Sequence, residues 1–203
     1  FPWLSKKEIE IGMCPVNAIR VAYTGELGWE LHHPIEMQNY LWDRLLLAGA
    51  NYGLKLVGAR AQNWLRQEKS YRAFGTELGR DATPLEADLS RFIDQEKDFF
   101  GKENMENKGI RTKCVTLIIN GPDDADPWGR EALYLSDGTK VGRLTSGGYS
   151  VVFGKSIGMG YVRPDLATQG QKLKVKMFNS LWDVEVTCDS PYDPKNETIR
   201  KDG

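Results

Sequence analysis

At 203 residues the chain is long enough for one good core or for two small domains that share an interface. Its 40% hydrophobic and 27% charged content is that of an ordinary soluble globular protein, and a net charge of −1 gives no global reason to bind nucleic acid or an acidic membrane surface. No apolar run approaches the roughly 20 residues that a membrane-spanning helix needs. Three well-separated cysteines, Cys14, Cys114 and Cys188, cannot all pair internally, which favours free thiols in a reducing compartment. Phe1-Pro2-Trp3-Leu4-Ser5-Lys6-Lys7 resembles neither a signal nor a transit peptide, so a piece of something longer is expected.

Glu8–Ile11 and Ala18–Tyr23 alternate apolar with polar or small residues and are expected as strands joined by a Gly12–Asn17 turn, with a third strand over Trp29–His32. Pro34 opens a helix carrying Met37, Leu41, Leu45 and Leu46 at helical spacing, ended by Gly49 and Gly53. A second helix is expected over Ala59–Glu68, then a loop-rich stretch from Thr76 to Leu85 and a short helix near Gly101–Asn107. From Arg111 the pattern becomes strands over Cys114–Ile119, Glu131–Leu135, Val141–Thr145, Ser156–Val162, Leu173–Phe178 and Trp182–Thr187, with Asp137-Gly138 and Asn179-Ser180 as hairpin connections. Almost no helix interrupts these strands. The fold class is therefore α+β: a mixed region over 1–110, then a small antiparallel barrel or sandwich over 111–203.

Several chemistries are disfavoured. Gly154-Lys155-Ser156-Ile157-Gly158-Met159-Gly160 lacks the glycine spacing of a nucleotide loop and lies among strands. His32 and His33 are adjacent, so on a strand they face opposite sides and do not chelate one metal together. No metal site is expected; the Asp123–Asp126 run reads as a solvated turn with at most weak affinity for a hard cation. A serine or cysteine nucleophile lacks a suitably placed base. Trp42, Trp64 and Phe74 read as packing residues, and Trp128 as a loop side chain capping the barrel or covering a ligand cleft. Taken alone, Tyr23 to Glu30 is a hairpin in which Gly25 and Gly28 relax the turn, Tyr23 and Trp29 pack, and Glu30 is solvated.

Tyr23-Thr24-Gly25-Glu26-Leu27-Gly28-Trp29-Glu30, followed in order by Leu65-Arg66-Gln67-Glu68-Lys69 with Tyr71-Arg72 and by Thr83-Pro84-Leu85-Glu86-Ala87, resembles the glycine-cleavage T-protein (aminomethyltransferase) family. It is similar above all to the folate-binding C-terminal region of sarcosine and dimethylglycine dehydrogenases. Asp126-Pro127-Trp128-Gly129, Thr145-Ser146-Gly147-Gly148-Tyr149 and Tyr192-Asp193-Pro194-Lys195-Asn196 resemble the C-terminal barrel of the same group. The resemblance implies a partial mixed-sheet folate-binding domain over 1–110 followed by the barrel. It implies tetrahydrofolate as cofactor, a small methylamine-type donor, and transfer of a one-carbon unit to give 5,10-methylenetetrahydrofolate. FAD would belong to an upstream domain.

On that resemblance Glu30 is the carboxylate that accepts two donors on one edge of the pterin and Tyr23 lines the same pocket; Arg66 or Arg60 is a candidate folate contact in place of the family's arginine, while an arginine beside Glu68 on a helix also fits a surface or interdomain ion pair. Gln62 stands where T-proteins carry an arginine, which points to the dehydrogenase branch. No stretch matches the family's catalytic aspartate segment, so no catalytic residue is nominated, and an N-terminal portion or a partner chain is expected to complete the folate domain. The alternatives are a non-catalytic folate-binding or interaction module, and a transferase using another donor. The expected compartment is the cytoplasm, or the mitochondrial matrix in a eukaryote.

Overall fold

Three short strands open the chain, and their alternation shows which face is covered. The computed structural model describes residues 1–122 and 124–201. Strands β1 (Lys6–Ile11), β2 (Cys14–Ile19) and β3 (Glu30–His32) form an antiparallel sheet in the order β1-β2-β3. Cys14, Val16 and Ala18 alternate inward along β2 and pack against Leu41 of α1 (Gln38–Gly49), with Leu31, Met37 and Leu45 around them. The opposite face carries Glu8, Asn17 and His32 side by side, paired as Glu8↔Asn17 and Asn17↔His32. Helix α2 (Ala59–Glu68) and short helix α3 (Lys102–Lys108) follow.

Six strands then close into an antiparallel barrel in the order β4-β7-β6-β5-β8-β9: β4 (Lys113–Asn120), β5 (Ala132–Tyr134), β6 (Lys140–Ser150), β7 (Lys155–Val162), β8 (Lys172–Met177) and β9 (Ser180–Thr187). Closure leaves every strand paired on both sides, which removes exposed sheet edges. Leu117, Ile119, Leu133, Leu144, Val162, Val175 and Val184 fill the interior. A final turn of helix, α4 (Glu197–Arg200), ends the described chain. The fold is α+β and ends in an antiparallel barrel, as expected; the first sheet, expected to be mixed, is antiparallel in all its pairings among the described residues.

By contacts the chain divides into two compact units, 1–62 with 193–203, and 63–192. Among the described residues, no helix is long and apolar enough to cross a membrane.

Two turns differ from expectation. The first hairpin reverses at Gly12-Met13, because Ile11 pairs directly with Cys14 and Gly12 takes φ +65°. Strand β2 therefore ends at Ile19, and Tyr23 lies in the connection instead of on a strand. The β8–β9 reversal is Phe178-Asn179, both left-handed at φ 48° and 65°, with Ser180 already in β9. Asp137-Gly138 does turn the β5–β6 connection, where Gly138 has φ +86°. Phe74 and Trp42, expected in packing, are 90% and 44% exposed. Trp64 instead lies against Gly148, where an added Cβ would collide with its indole. Trp128 is 79% exposed. Asp123 of the expected acidic turn, and the last two residues of the expected frayed tail, lie outside the described residues.

Candidate functional site

The first unit carries two of the three expected site residues. Strand β2 ends where the Val21 amide turns back to the Ile19 carbonyl at 3.0 Å, and the chain re-enters the sheet only at Glu30, opposite Ile19. The intervening loop is pinned by buried Gly25 at φ +81°, a backbone conformation that a residue with a Cβ adopts only under strain. Gly28 has a different role: a Cβ there would press on Ala22 Cβ at 2.9 Å, so two stretches of the loop can approach only because Gly28 has no side chain. Tyr23 is half-buried in this loop.

Glu30 projects from the exposed sheet face with its side chain 51% exposed, and its Oε2 lies 3.1 Å from His32 Nε2. Residues two apart on a strand share a face, which is why His32 steadies this carboxylate. His33 faces the other way and contacts the Pro34 carbonyl at 2.9 Å. Among the described residues no group of three or more His, Cys, Asp and Glu side chains is placed to hold a metal ion.

Arg20 supports this region, and nothing in its local sequence singled it out. It is 1% exposed, donates from Nη2 to the carbonyls of Ile199 at 3.3 Å and Lys201 at 2.7 Å, and lies over the Trp29 ring at 4.9 Å. Phe1 meets the same indole edge-on at 6.2 Å. One arginine thus ties the C-terminal segment to the residue immediately before Glu30. The partners lie nearly the whole chain apart, so no local motif could reveal them.

The third expected residue, Arg66, lies in the second unit within a buried ionic network. It is 1% exposed; Nε donates to Asn63 Oδ1 at 2.9 Å, Nη1 to the Tyr71 carbonyl at 2.7 Å and Glu77 Oε2 at 2.9 Å, and Nη2 to Ser146 Oγ at 2.7 Å. Glu77 also accepts from the Ala73 amide, from Thr76, and from the Thr145 and Ser146 hydroxyls, the last two on one oxygen at 2.6 Å each. Neighbouring strand residues normally point to opposite faces; the register shift between Leu144 and Ser146 is what lets both hydroxyls reach Glu77. Burial by itself raises the Glu77 pKa, but Arg66 and these donors outweigh it and hold the carboxyl below its ordinary value.

A second anchor stands alongside. Glu86 accepts from the Thr83 amide and from both backbone and side chain of Arg111, and these bonds overcome its burial to bring its pKa down to about 2. Gln62 is exposed.

Residues 1–97 match the family described as "GCVT N-terminal domain", and residues 112–193 match "Glycine cleavage T-protein C-terminal barrel domain". The mitochondrial dimethylglycine dehydrogenase of Rattus norvegicus is 37% identical over 210 residues, covering 100% of this chain and 24% of that protein. An aminomethyltransferase of Desulfitobacterium hafniense is 35% identical over 178 residues, covering 85% of this chain and 47% of that protein. The chain thus spans about a quarter to a half of the length of these relatives. The structure of glycine cleavage system aminomethyltransferase T from Bartonella henselae superposes with a TM-score of 0.83 at 23% identity, over 96% of this chain and 54% of that one, and shows the shared fold.

Proposed function

The chain belongs to the glycine cleavage T-protein family, and we propose that it is the tetrahydrofolate-binding part of a one-carbon transferase of the sarcosine or dimethylglycine dehydrogenase type. The observation that carries this reading is the placement of Glu30. Its carboxylate stands on an exposed sheet face, steadied by His32, at the end of a loop held by Gly25 and anchored behind by Arg20 and Trp29. Such a carboxylate fits the two-donor edge of a pterin, and Tyr23 in the same loop offers a ring and a phenol to the ligand. Arg66 enters the proposal through the Glu77 network, as a residue that fixes the Thr145–Gly148 segment.

Bound tetrahydrofolate supplies the nitrogen that takes up the one-carbon unit; the residues of this chain bind and orient it. The donor, a methylamine-type compound, and any FAD-bearing domain belong to the proposal for the whole protein. So does the division into 1–110, the C-terminal portion of the folate domain, and 111–203, the barrel domain. The family matches ending at 97 and starting at 112 support that division. The mitochondrial relative supports a matrix location in a eukaryote; in a prokaryote the cytoplasm is the corresponding compartment.

Calorimetric titration with tetrahydrofolate tests the assignment. Binding that weakens in Glu30→Ala and persists in Gln62→Ala is expected. Binding indifferent to Glu30 would remove the assignment, and a chain that binds only when joined to the remaining length of its relatives would show that those residues complete the pocket.

A further inference from the structure

In the second unit, two adjoining cavities of about 230 and 480 Å³ run between residues 75–82 and the outer face of the barrel, sharing Asp81, Ala82, Arg143 and Tyr161. Tyr161 forms the floor: it is 8% exposed and its hydroxyl donates to the Glu77 carbonyl at 2.7 Å. Arg143 is its cross-strand partner on β6, and the next residue, Leu144, points into the barrel, so Arg143 faces outward over Tyr161. Lys140 enters the larger cavity and Arg130 the smaller one.

The cations here differ sharply in how they are held. Arg111, which also lines the groove, is bonded to Glu86 and to the Asp81 carbonyl. Among the described residues, the side chains of Arg130, Lys140 and Arg143 have no hydrogen-bond or ion-pair partner. Of the acids lining the groove, Glu77 is committed to Arg66, which leaves Asp81. Positive charge therefore gathers in one groove of a chain whose net charge is −1. The backbone adds a second observation. Arg130 sits at φ +78°, a backbone conformation that residues with a Cβ rarely adopt, and its amide is fixed to the Leu144 carbonyl at 2.8 Å. Strain retained at the wall of a cavity, on a residue that brings a guanidinium to it, is the pattern of a ligand-facing position.

We propose that this groove is an anion site, separate from the pterin assignment, for a small molecule bearing two or more carboxylate or phosphate groups. Guanidinium forks match both oxygen chemistries bidentately, and the cavity size suits a small molecule. Two arginines and a lysine, Arg130 ahead of β5 and Lys140 and Arg143 on β6, discriminate by charge number: a multivalent anion engages several of them at once, whereas a monovalent one does not.

The test is calorimetry on the 203-residue chain at low salt with citrate, pyrophosphate and acetate. Citrate or pyrophosphate is expected to bind at least about tenfold more tightly than acetate, and the better of the two identifies the oxygen chemistry. Arg130→Gly with Arg143→Gln is expected to weaken that binding by at least about tenfold. Arg130→Gly also relieves the left-handed backbone and Arg143 is exposed, so the double variant should retain its circular dichroism and thermal midpoint. Glu30→Ala should leave citrate and pyrophosphate binding unchanged, which separates this site from the folate reading. Equal affinity for acetate and the multivalent anions, or full binding by a folded double variant, overturns the proposal.

Discussion

Replacing Glu77 by glutamine removes one charge from a site closed to bulk solvent. The Arg66 and Glu77 side chains are 1% and 0% exposed. Glu77 receives five donors: Arg66 at 2.9 Å, the Ala73 amide at 3.0 Å, Thr76 at 2.8 Å, and Thr145 and Ser146 at 2.6 Å. Glutamine keeps one acceptor oxygen and presents an NH₂ to the rest, while Arg66 remains charged. Breaking one side of a buried pair costs about 3–5 kcal/mol. The neutral acceptors left to Arg66, Asn63 Oδ1 and the Tyr71 carbonyl, place the cost near the lower end, about 3 kcal/mol. For a chain of this length that is a fall of roughly 6–12 °C in thermal midpoint. Urea unfolding followed by circular dichroism and tryptophan fluorescence measures it. The double variant Arg66→Met with Glu77→Leu should lose less than Glu77→Gln alone, because no buried charge is stranded. A single-variant loss below about 1 kcal/mol, or a double variant that loses more than Glu77→Gln, would refute the network as a stabilising unit.

The remaining predictions are more local. Glu86 is held to about 2 against an ordinary 4.5, so its contribution is complete above about pH 4.5 and is lost as pH falls toward 2. Half-exposed Arg111 screens that contribution to about 1–2 kcal/mol, and acid titration of Glu86→Gln should be flatter over this window than that of the parent. Burial pushes the Cys114 thiol up to about 12, and Cys14 is fully buried, so a thiol reagent at pH 8 should modify partly exposed Cys188 first; early labelling of Cys114, read by peptide mass, would contradict its burial. Gly142→Ala places a Cβ against the Tyr161 carbonyl and should destabilise by about 1–3 kcal/mol, more than Ala at open Gly138, where left-handed φ alone costs about 1 kcal/mol. The first unit exposes Leu47, Tyr52, Leu54, Leu56 and Val57, so light scattering should show the chain self-associating; a clean monomer at high concentration would count against this.

The elements were legible where periodicity had length to act. The helix over 59–68 and the barrel strands follow from apolar alternation and turn residues within a few positions. What stayed hidden depended on partners distant in sequence or on backbone φ. Leu65-Arg66-Gln67-Glu68-Lys69 carries four polar or charged residues with no local sign of what covers them, yet Arg66 through Ser70 are all 2% exposed or less, because Glu77, Ser146, Ser150 and Tyr192 come to meet them. Phe178 gives no local sign that it will occupy a left-handed turn position. In the candidate site, the nomination of Tyr23 and Glu30 rests on ordered motifs. The anchoring of their loop by Arg20 did not, since its acceptors at Ile199 and Lys201 are backbone carbonyls with no sequence signature.

The most direct test of the account asks which half of folate Glu30 reads. Binding of tetrahydrofolate, of 6-methyltetrahydropterin and of p-aminobenzoylglutamate is measured by calorimetry for the parent chain and for Glu30→Ala. A carboxylate bonded to the pterin edge contributes about 1–3 kcal/mol, so both pterin-containing ligands should weaken by the same factor, roughly 5- to 150-fold. Binding of p-aminobenzoylglutamate should be unchanged. A loss confined to p-aminobenzoylglutamate, or undiminished binding of the pterin by Glu30→Ala, would contradict the account.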